Sequence, residues 1–177
     1  ISTLILDGAN ETANKAVSRL SDFLRYTLDN DPMSRVTLGS ELAAIDLYLE
    51  IEKVRFGDRL VVEKSIEAKA HEALVPSLIL QPLIENAIKY AITPREEGGT
   101  LRISARVQRK TLVLQISDTG PGLGNGNNGQ KSSGVGLKNT RERLQQLYGD
   151  RQAFTLGPNE PSGLVVTINI PFEEDNA

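Results

Sequence analysis

The chain has 177 residues, of which 39% are hydrophobic and 24% charged, and a formal net charge of −3. These values suit an ordinary soluble globular protein of one domain, or one domain with a helical appendage. With no cysteine and a single histidine, disulfides, thiolate chemistry and a histidine-rich metal site are excluded. No basic excess marks a nucleic-acid footprint, and no run of about 18 apolar residues marks a membrane span.

The chain opens at Ile1 with no leader, so it is read as a piece of a longer protein whose remainder could be membranous. Ala13, Val17, Leu20, Leu24 and Leu28 recur at helical spacing, and Asn30, Asp31 and Pro32 stop that helix. Thr37 can cap a second helix, with Glu41 suited to its positive first turn. Leu38, Leu42, Ile45, Leu49 and Phe56 mark one face of it. Ala44, Leu47, Ile51 and Val54 broaden the apolar surface, and Gly57 and Asp58 close it. Two such helices must bury against each other, the main domain or a partner chain.

From Arg59 the texture changes. Residues 60–66 resemble a strand. Residues 76–92 predict a helix, with Pro76 at or just before its start. Strands follow over 101–107 and 111–117, where apolar and polar residues alternate. Residues 120–136 are rich in Gly, Asn and Ser and predict a loop. Residues 137–148 predict a helix closed by Gly149, then strands over 151–156 and 163–170, ended by Pro171. Helices segregated from hairpin-connected strands point to an α+β sandwich with helices on one face of the sheet.

Three groups of residues carry possible chemistry. In the predicted helix over 76–92, Glu85, Asn86, Lys89 and Tyr90 share a face away from the apolar stripe. They form either a solvated face with a Glu85–Lys89 pair, or a site where the Asn86 amide oxygen serves Mg²⁺ beside phosphates. Asn86 is a weak helix former for a mid-helix position. The second group is Asp118-Thr119-Gly120-Pro121-Gly122-Leu123. Asp118 continues the parity of Leu112, Leu114 and Ile116, so its carboxylate points coreward and needs a partner. A ligand N–H such as an adenine amine is one solution, with Gly120 and Gly122 allowing close approach; a plain strand-ending turn is the other. The third group, Gly134-Val135-Gly136-Leu137, opens a helix whose free N–H groups could cradle phosphate. A lone G-x-G is weak evidence, and neither a dinucleotide-fold context nor a GxxxxGK[ST] loop accompanies it.

Taken together, the groups resemble one family. LILQPLIENAIKYA is similar to the N box of the histidine kinase/gyrase/Hsp90/MutL ATPases, DTGPGL to their G1 box and GVGLKNTRERL to their G2 box, in the same order. The Gly/Asn-rich loop falls where that family has its ATP lid. LSDFLRYTL and VTLGSELAAIDLYLEIEKVRFGDRL resemble the segment before the ATPase domain in LytS-like sensor histidine kinases.

The resemblance implies a Bergerat-type α/β sandwich preceded by two amphipathic dimerisation-type helices. Residues 1–57 would then be the end of the dimerisation and phosphotransfer segment, 58–172 the ATP-binding catalytic domain and 173–177 a polar tail. It implies ATP and Mg²⁺ as cofactors. Asn86 would hold the metal, Glu85 support the acceptor or a metal-bound water, and Lys89 lie near the phosphates. Asp118 would accept from the adenine amine, helped by Thr167, with Gly120 and Gly122 allowing the base to approach. Gly134, Val135, Gly136 and Leu137 would meet the phosphates. Tyr90 stands where many relatives have His and could pack beside the nucleotide.

The Asn-Pro-His-Phe-type acceptor motif is not in the chain, and His71 reads as a surface or cap residue. The expected partners are a response regulator and a second copy held through the N-terminal helices, with no nucleic acid and with membrane attachment only through segments outside the chain. The expected setting is the cytoplasmic side of an inner or plasma membrane. The alternatives are an anti-sigma-factor-like Ser kinase of the same superfamily and a non-catalytic nucleotide-binding dimerisation module.

Overall fold

The computed structural model describes residues 5–6, 8–122 and 135–174. Helix α1 (Asn10–Asp29) lies against α2 (Leu38–Phe56). Thr37 caps α2 as expected, its hydroxyl accepting from the Ser40 N–H at 3.2 Å. Leu38, Leu42, Ile45, Leu49 and Phe56 are all buried, so the apolar stripe read from α2 is its packed face.

Of the stripe read from α1, only Ala13 is buried. Ala13, Ala16 and Phe23 face α2, whereas Val17, Leu24 and Leu28 are exposed. Phe23 packs on Tyr48 of α2 with ring centroids 5.4 Å apart, and Arg19 pairs with Glu50. Helical spacing identifies apolar positions, but α1 has more than one such row, and spacing does not choose which row meets α2.

Strand β1 (Arg35–Thr37) pairs antiparallel with β3 (Leu74–Pro76) in a small ladder that the sequence reading missed. The main sheet contains β2 (Leu60–Ile66), β4 (Gly99–Gln108), β5 (Thr111–Asp118), β6 (Ala153–Pro158) and β7 (Leu164–Pro171), in the order β2-β4-β5-β7-β6. The β2–β4 pair is parallel and the others are antiparallel. Leu101, Ile103, Leu112, Leu114, Ile116, Val166, Ile168 and Ile170 alternate onto one face. Each fully buried Leu or Ile contributes about 1.5–3 kcal/mol.

That face is covered by α2, by α3 (Gln81–Ala87) and by α4 (Val135–Tyr148). Helix α3 continues through a π-type turn over Ile88–Ile92. The layering is the expected α+β sandwich. Helix α2 belongs to the same continuous core as α3, α4 and the sheet.

The helix expected over 76–92 starts later. Pro76 ends β3, Leu78 has φ +59°, and the proline in the first helical turn is Pro82. The cause is Glu41. Its carboxylate, 2% exposed as a residue, accepts from the Leu78 N–H at 2.7 Å and the Leu80 N–H at 3.3 Å. These bonds satisfy backbone donors ahead of α3 that would otherwise be buried unpaired.

Candidate functional site

Helix α3 and the start of α4 enclose a cavity of about 300 Å³ lined by Pro82, Glu85, Asn86, Lys89, Tyr90, Val135, Gly136 and Leu137. The apolar positions of α3 (Leu83, Ile84, Ala87 and Ile88) are buried in the core, which leaves its polar positions to face this space. The π-type turn that follows α3 carries Lys89 and Tyr90. Such turns recur at functional sites because they re-aim side chains along a helix. The α4 N-terminus meets the cavity through Val135, Gly136 and Leu137, and its first-turn N–H groups lack intrahelical partners. A Cβ at Gly136 would lie 3.2 Å from Pro82 Cβ, so the two helices approach closely here.

The Glu85–Lys89 ion pair of the solvated-face alternative is absent among the described residues. Glu85 accepts from Gln81 Nε2 at 2.8 Å, and the Lys89 ammonium sits 5.0 Å from the Tyr90 ring centroid. Asn86 is half-buried, with no hydrogen bond among the described residues. Among the described residues, then, its amide is uncommitted at the cavity wall.

Asp118 lies at the end of β5 on the helix-covered face and is only 7% exposed. Its Oδ1 accepts from the Gly120 N–H at 2.9 Å and the Leu164 N–H at 3.3 Å. Among the described residues Oδ2 has no hydrogen bond. Burial pushes the carboxyl above the usual carboxylate range, and the two N–H donors oppose that shift. Asp118 does not itself line the Asn86 cavity. It lies farther along the same helical run: a Cβ at Gly120 would stand 2.7 Å from Ala91 Cβ and 3.0 Å from Asp118 Oδ1. Only a residue without Cβ fits between the turn and the helix. Gly122, at φ +74°, is equally constrained, since a Cβ there would meet the Gly163 carbonyl oxygen at 2.8 Å.

Residues 72–174 match the family described as histidine kinase-, DNA gyrase B- and HSP90-like ATPases, and residues 1–60 match a histidine kinase family. The chain belongs to the histidine kinase-, DNA gyrase B- and HSP90-like ATPases. The two matches in this order make it the catalytic ATPase region of a two-component sensor histidine kinase. It is 30% identical over 171 residues to the sensor protein LytS of Staphylococcus haemolyticus, aligning 92% of this chain with 29% of that protein. To the sensor histidine kinase BtsS of Escherichia coli K12 it is 32% identical over 166 residues, with 94% of this chain and 29% of that one covered. The chain thus spans under a third of the length of these curated relatives. The catalytic domain of the histidine kinase ThkA superposes with a TM-score of 0.62 at 15% identity, covering 80% of this chain and 98% of that one. At that identity the likeness shows the fold alone.

Within this ATPase, Glu85, Asn86, Lys89, Tyr90, Val135, Gly136 and Leu137 come together in one cavity. Asp118, Gly120 and Gly122 gather at the turn packed on Ala91. Gly134 and Leu123 lie outside the described residues. Thr167 is the correction: its register partner on β5 is Gln115, whose Nε2 donates to Thr167 Oγ1 at 3.1 Å. Gln115 and Thr167 occupy the sheet face opposite Asp118, because neighbouring residues of a strand point to opposite sides. The β7 contact to Asp118 comes instead from the Leu164 N–H. Sequence motifs gave no sign of this donor, since a backbone group carries no residue signature. His71 is exposed between β2 and β3, its Nδ1 3.7 Å from where a Gly39 Cβ would stand at the start of α2.

Proposed function

We propose that this ATPase binds magnesium ATP along α3, purine at Asp118 and phosphates at the α4 N-terminus. The γ-phosphoryl group is then transferred to a histidine of the dimerisation segment, and from there to an aspartate of a response regulator. The observation that supports this reading best is the uncommitted Asn86 amide opening on a cavity whose other wall is a helix N-terminus.

The residues fit the nucleotide. A neutral amide oxygen beside phosphates suits Mg²⁺, which takes few protein ligands and keeps its other positions for phosphate and water. The described residues hold no cluster of acidic or histidine side chains that would bind a metal without a nucleotide. Bound magnesium would supply neutralisation of phosphate charge. The chain's own groups do the rest. Lys89 places a cation at the cavity mouth, the α4 N–H groups favour negative charge, and Glu85 offers a carboxylate to orient the acceptor. Asp118 Oδ2 accepts from an amino group on the base. The second copy joins through the α1 face carrying Val17, Leu24 and Leu28, and attachment to a membrane belongs to segments beyond this chain; no described helix is long and apolar enough to cross one.

The test is transfer of label from γ-labelled ATP, with magnesium, to a supplied dimerisation domain bearing the acceptor histidine. Acid-labile label on that domain and none on this chain is expected. Acid-stable label would point to serine, and label on His71 would overturn the assignment of the acceptor.

A further inference from the structure

Three side chains outside every motif reach the turn that carries Asp118: Asn159, Arg95 and, more weakly, Ser162, whose hydroxyl donates to the Thr119 carbonyl oxygen at 3.4 Å. Asn159, between β6 and β7, donates its Nδ2–H to the Asp118 carbonyl oxygen at 2.8 Å. Arg95, between the π-type turn and β4, donates to the Thr119 carbonyl oxygen. Two consecutive carbonyls are thus held by side chains from two separate loops.

The Arg95 and Asn159 grips are themselves braced. Glu97 accepts from Arg95 Nε at 2.9 Å and from its terminal nitrogen at 2.7 Å. Arg59 donates to the Arg95 carbonyl oxygen at 2.5 Å. On the other side, the Asn159 N–H donates to the Gly163 carbonyl oxygen at 3.0 Å. Gly163, at φ +118°, lies so close that a Cβ would meet the Asp118 carbonyl oxygen at 1.8 Å. Thr119 is also tied to β4: its N–H donates to the Thr100 carbonyl at 3.2 Å, and its hydroxyl accepts from the Thr100 N–H at 2.9 Å. The peptide between Asp118 and Thr119 cannot rotate without breaking one of these bonds. A side chain's direction follows its backbone, and a recognition group needs placement to within about 0.5 Å.

We propose that Asn159 and Arg95 are positioning residues that aim the Asp118 carboxylate at the amino group of the purine, and so set the preference for adenine over a 6-oxopurine. This rests on the reading of Asp118 given above. An ionised carboxylate only accepts hydrogen bonds. A 6-amino group satisfies it, whereas a 6-oxo group sets acceptor against acceptor and is rejected. The rejection is sharp only while the carboxylate is held in place.

The experiment measures binding of magnesium ATP, magnesium ITP and tripolyphosphate to the wild-type chain and to Asn159→Ser, Arg95→Met and Arg95→Lys, with circular dichroism as the check on folding. The wild type is expected to favour ATP over ITP by at least about tenfold. Asn159→Ser and Arg95→Met each lose about tenfold in ATP affinity, with ITP and tripolyphosphate unchanged, and Arg95→Lys recovers part of the loss. A wild type that binds ATP and ITP equally well removes the Asp118 reading itself. A wild type that prefers ATP, with folded variants that keep the full preference, overturns the positioning role alone. Should one variant not fold, the other grip decides, and Arg95→Lys, which keeps charge and stem, is the mildest of the three.

Discussion

The Tyr26 hydroxyl donates to the Glu41 carboxylate at 2.7 Å, and that same carboxylate receives the backbone N–H groups leading into α3. One buried acid therefore joins α1, α2 and the segment that carries Asn86. Burial and the nearby Glu41 charge both push the Tyr26 phenol above its ordinary range, so it stays a donor at neutral pH. Arg143 of α4 approaches the same region, donating to the Ser77 carbonyl at 3.0 Å and the Pro32 carbonyl at 3.3 Å. Burial lowers its pKa from the ordinary guanidinium value, and Glu41 opposes that shift.

Tyr26→Phe removes one hydrogen bond to a charged acceptor and is expected to lower stability by about 1.5 kcal/mol. Glu41→Ala leaves the Tyr26 hydroxyl and two backbone N–H groups without an acceptor, and should cost roughly 3 kcal/mol or more. Urea denaturation of the two variants checks the order. A Glu41→Ala chain as stable as wild type would show that the carboxylate does not bind these elements together.

Asn86→Ala should leave the fold intact, because the side chain is half-buried and makes no hydrogen bond among the described residues. Loss of phosphoryl transfer on the order of 100-fold is expected, with the magnesium dependence of nucleotide binding flattened. Titration of an ATP analogue with and without Mg²⁺ separates the two effects. Unchanged magnesium dependence would move the metal elsewhere.

For Asp118 the sign follows from burial. Its folded pKa is raised, so its unfolded form gives up the proton at lower pH than its folded form. The protonated acid stabilises the fold below the unfolded pKa, and that contribution is lost as pH rises through the folded pKa. Asp118→Asn mimics the neutral form. The nucleotide-free variant should therefore exceed wild type in stability at pH 7, with the gap closing as pH approaches about 4, while ATP affinity falls. Thermal unfolding across that range is the measurement, and a gap that widens on acidification would reverse the argument.

Gly120→Ala forces a methyl group within 2.7 Å of Ala91 Cβ. Overpacking of this kind costs about 1–3 kcal/mol. It should also push the turn off the π-type turn and weaken nucleotide binding. Gly149→Ala is the contrast: its φ is +55° but nothing lies within 4 Å, so it should lose only the smaller backbone term of about 1 kcal/mol and leave binding unaffected.

Leu28 is 83% exposed and Leu24 48% exposed on α1. Replacing both with Glu should change chain stability by less than about 0.5 kcal/mol each yet weaken self-association. Sedimentation velocity at several concentrations reads this directly, and a loss of folding instead would mean that the face is packed within the chain.

Much of this architecture was legible because periodicity and packing agree. On α2 the apolar row is continuous from Leu38 to Phe56, and Thr37 announces its start. In β5 the alternation that buries Leu112, Leu114 and Ile116 carries directly to Asp118. What escaped lacked a local signature. Strands β1 and β3 have three residues each, too few for alternation to register. The late start of α3 is imposed by Glu41, which is 37 residues from Leu78 in sequence and read only as a favourable charge in its own helix. Thr167 has the right chemistry but the wrong strand parity, and parity depends on a register that no single strand reveals. Asn159 and Arg95 act through backbone carbonyls and so resemble ordinary loop residues.

The shared core has a practical corollary for where this protein can be cut. A chain begun at residue 58 would lack Leu38, Leu42, Ile45, Leu49 and Phe56 and leave bare the apolar surface they cover. It would also lose the strand that pairs with Leu74–Pro76. A truncation that keeps the core and the β1–β3 ladder whole therefore starts ahead of Arg35.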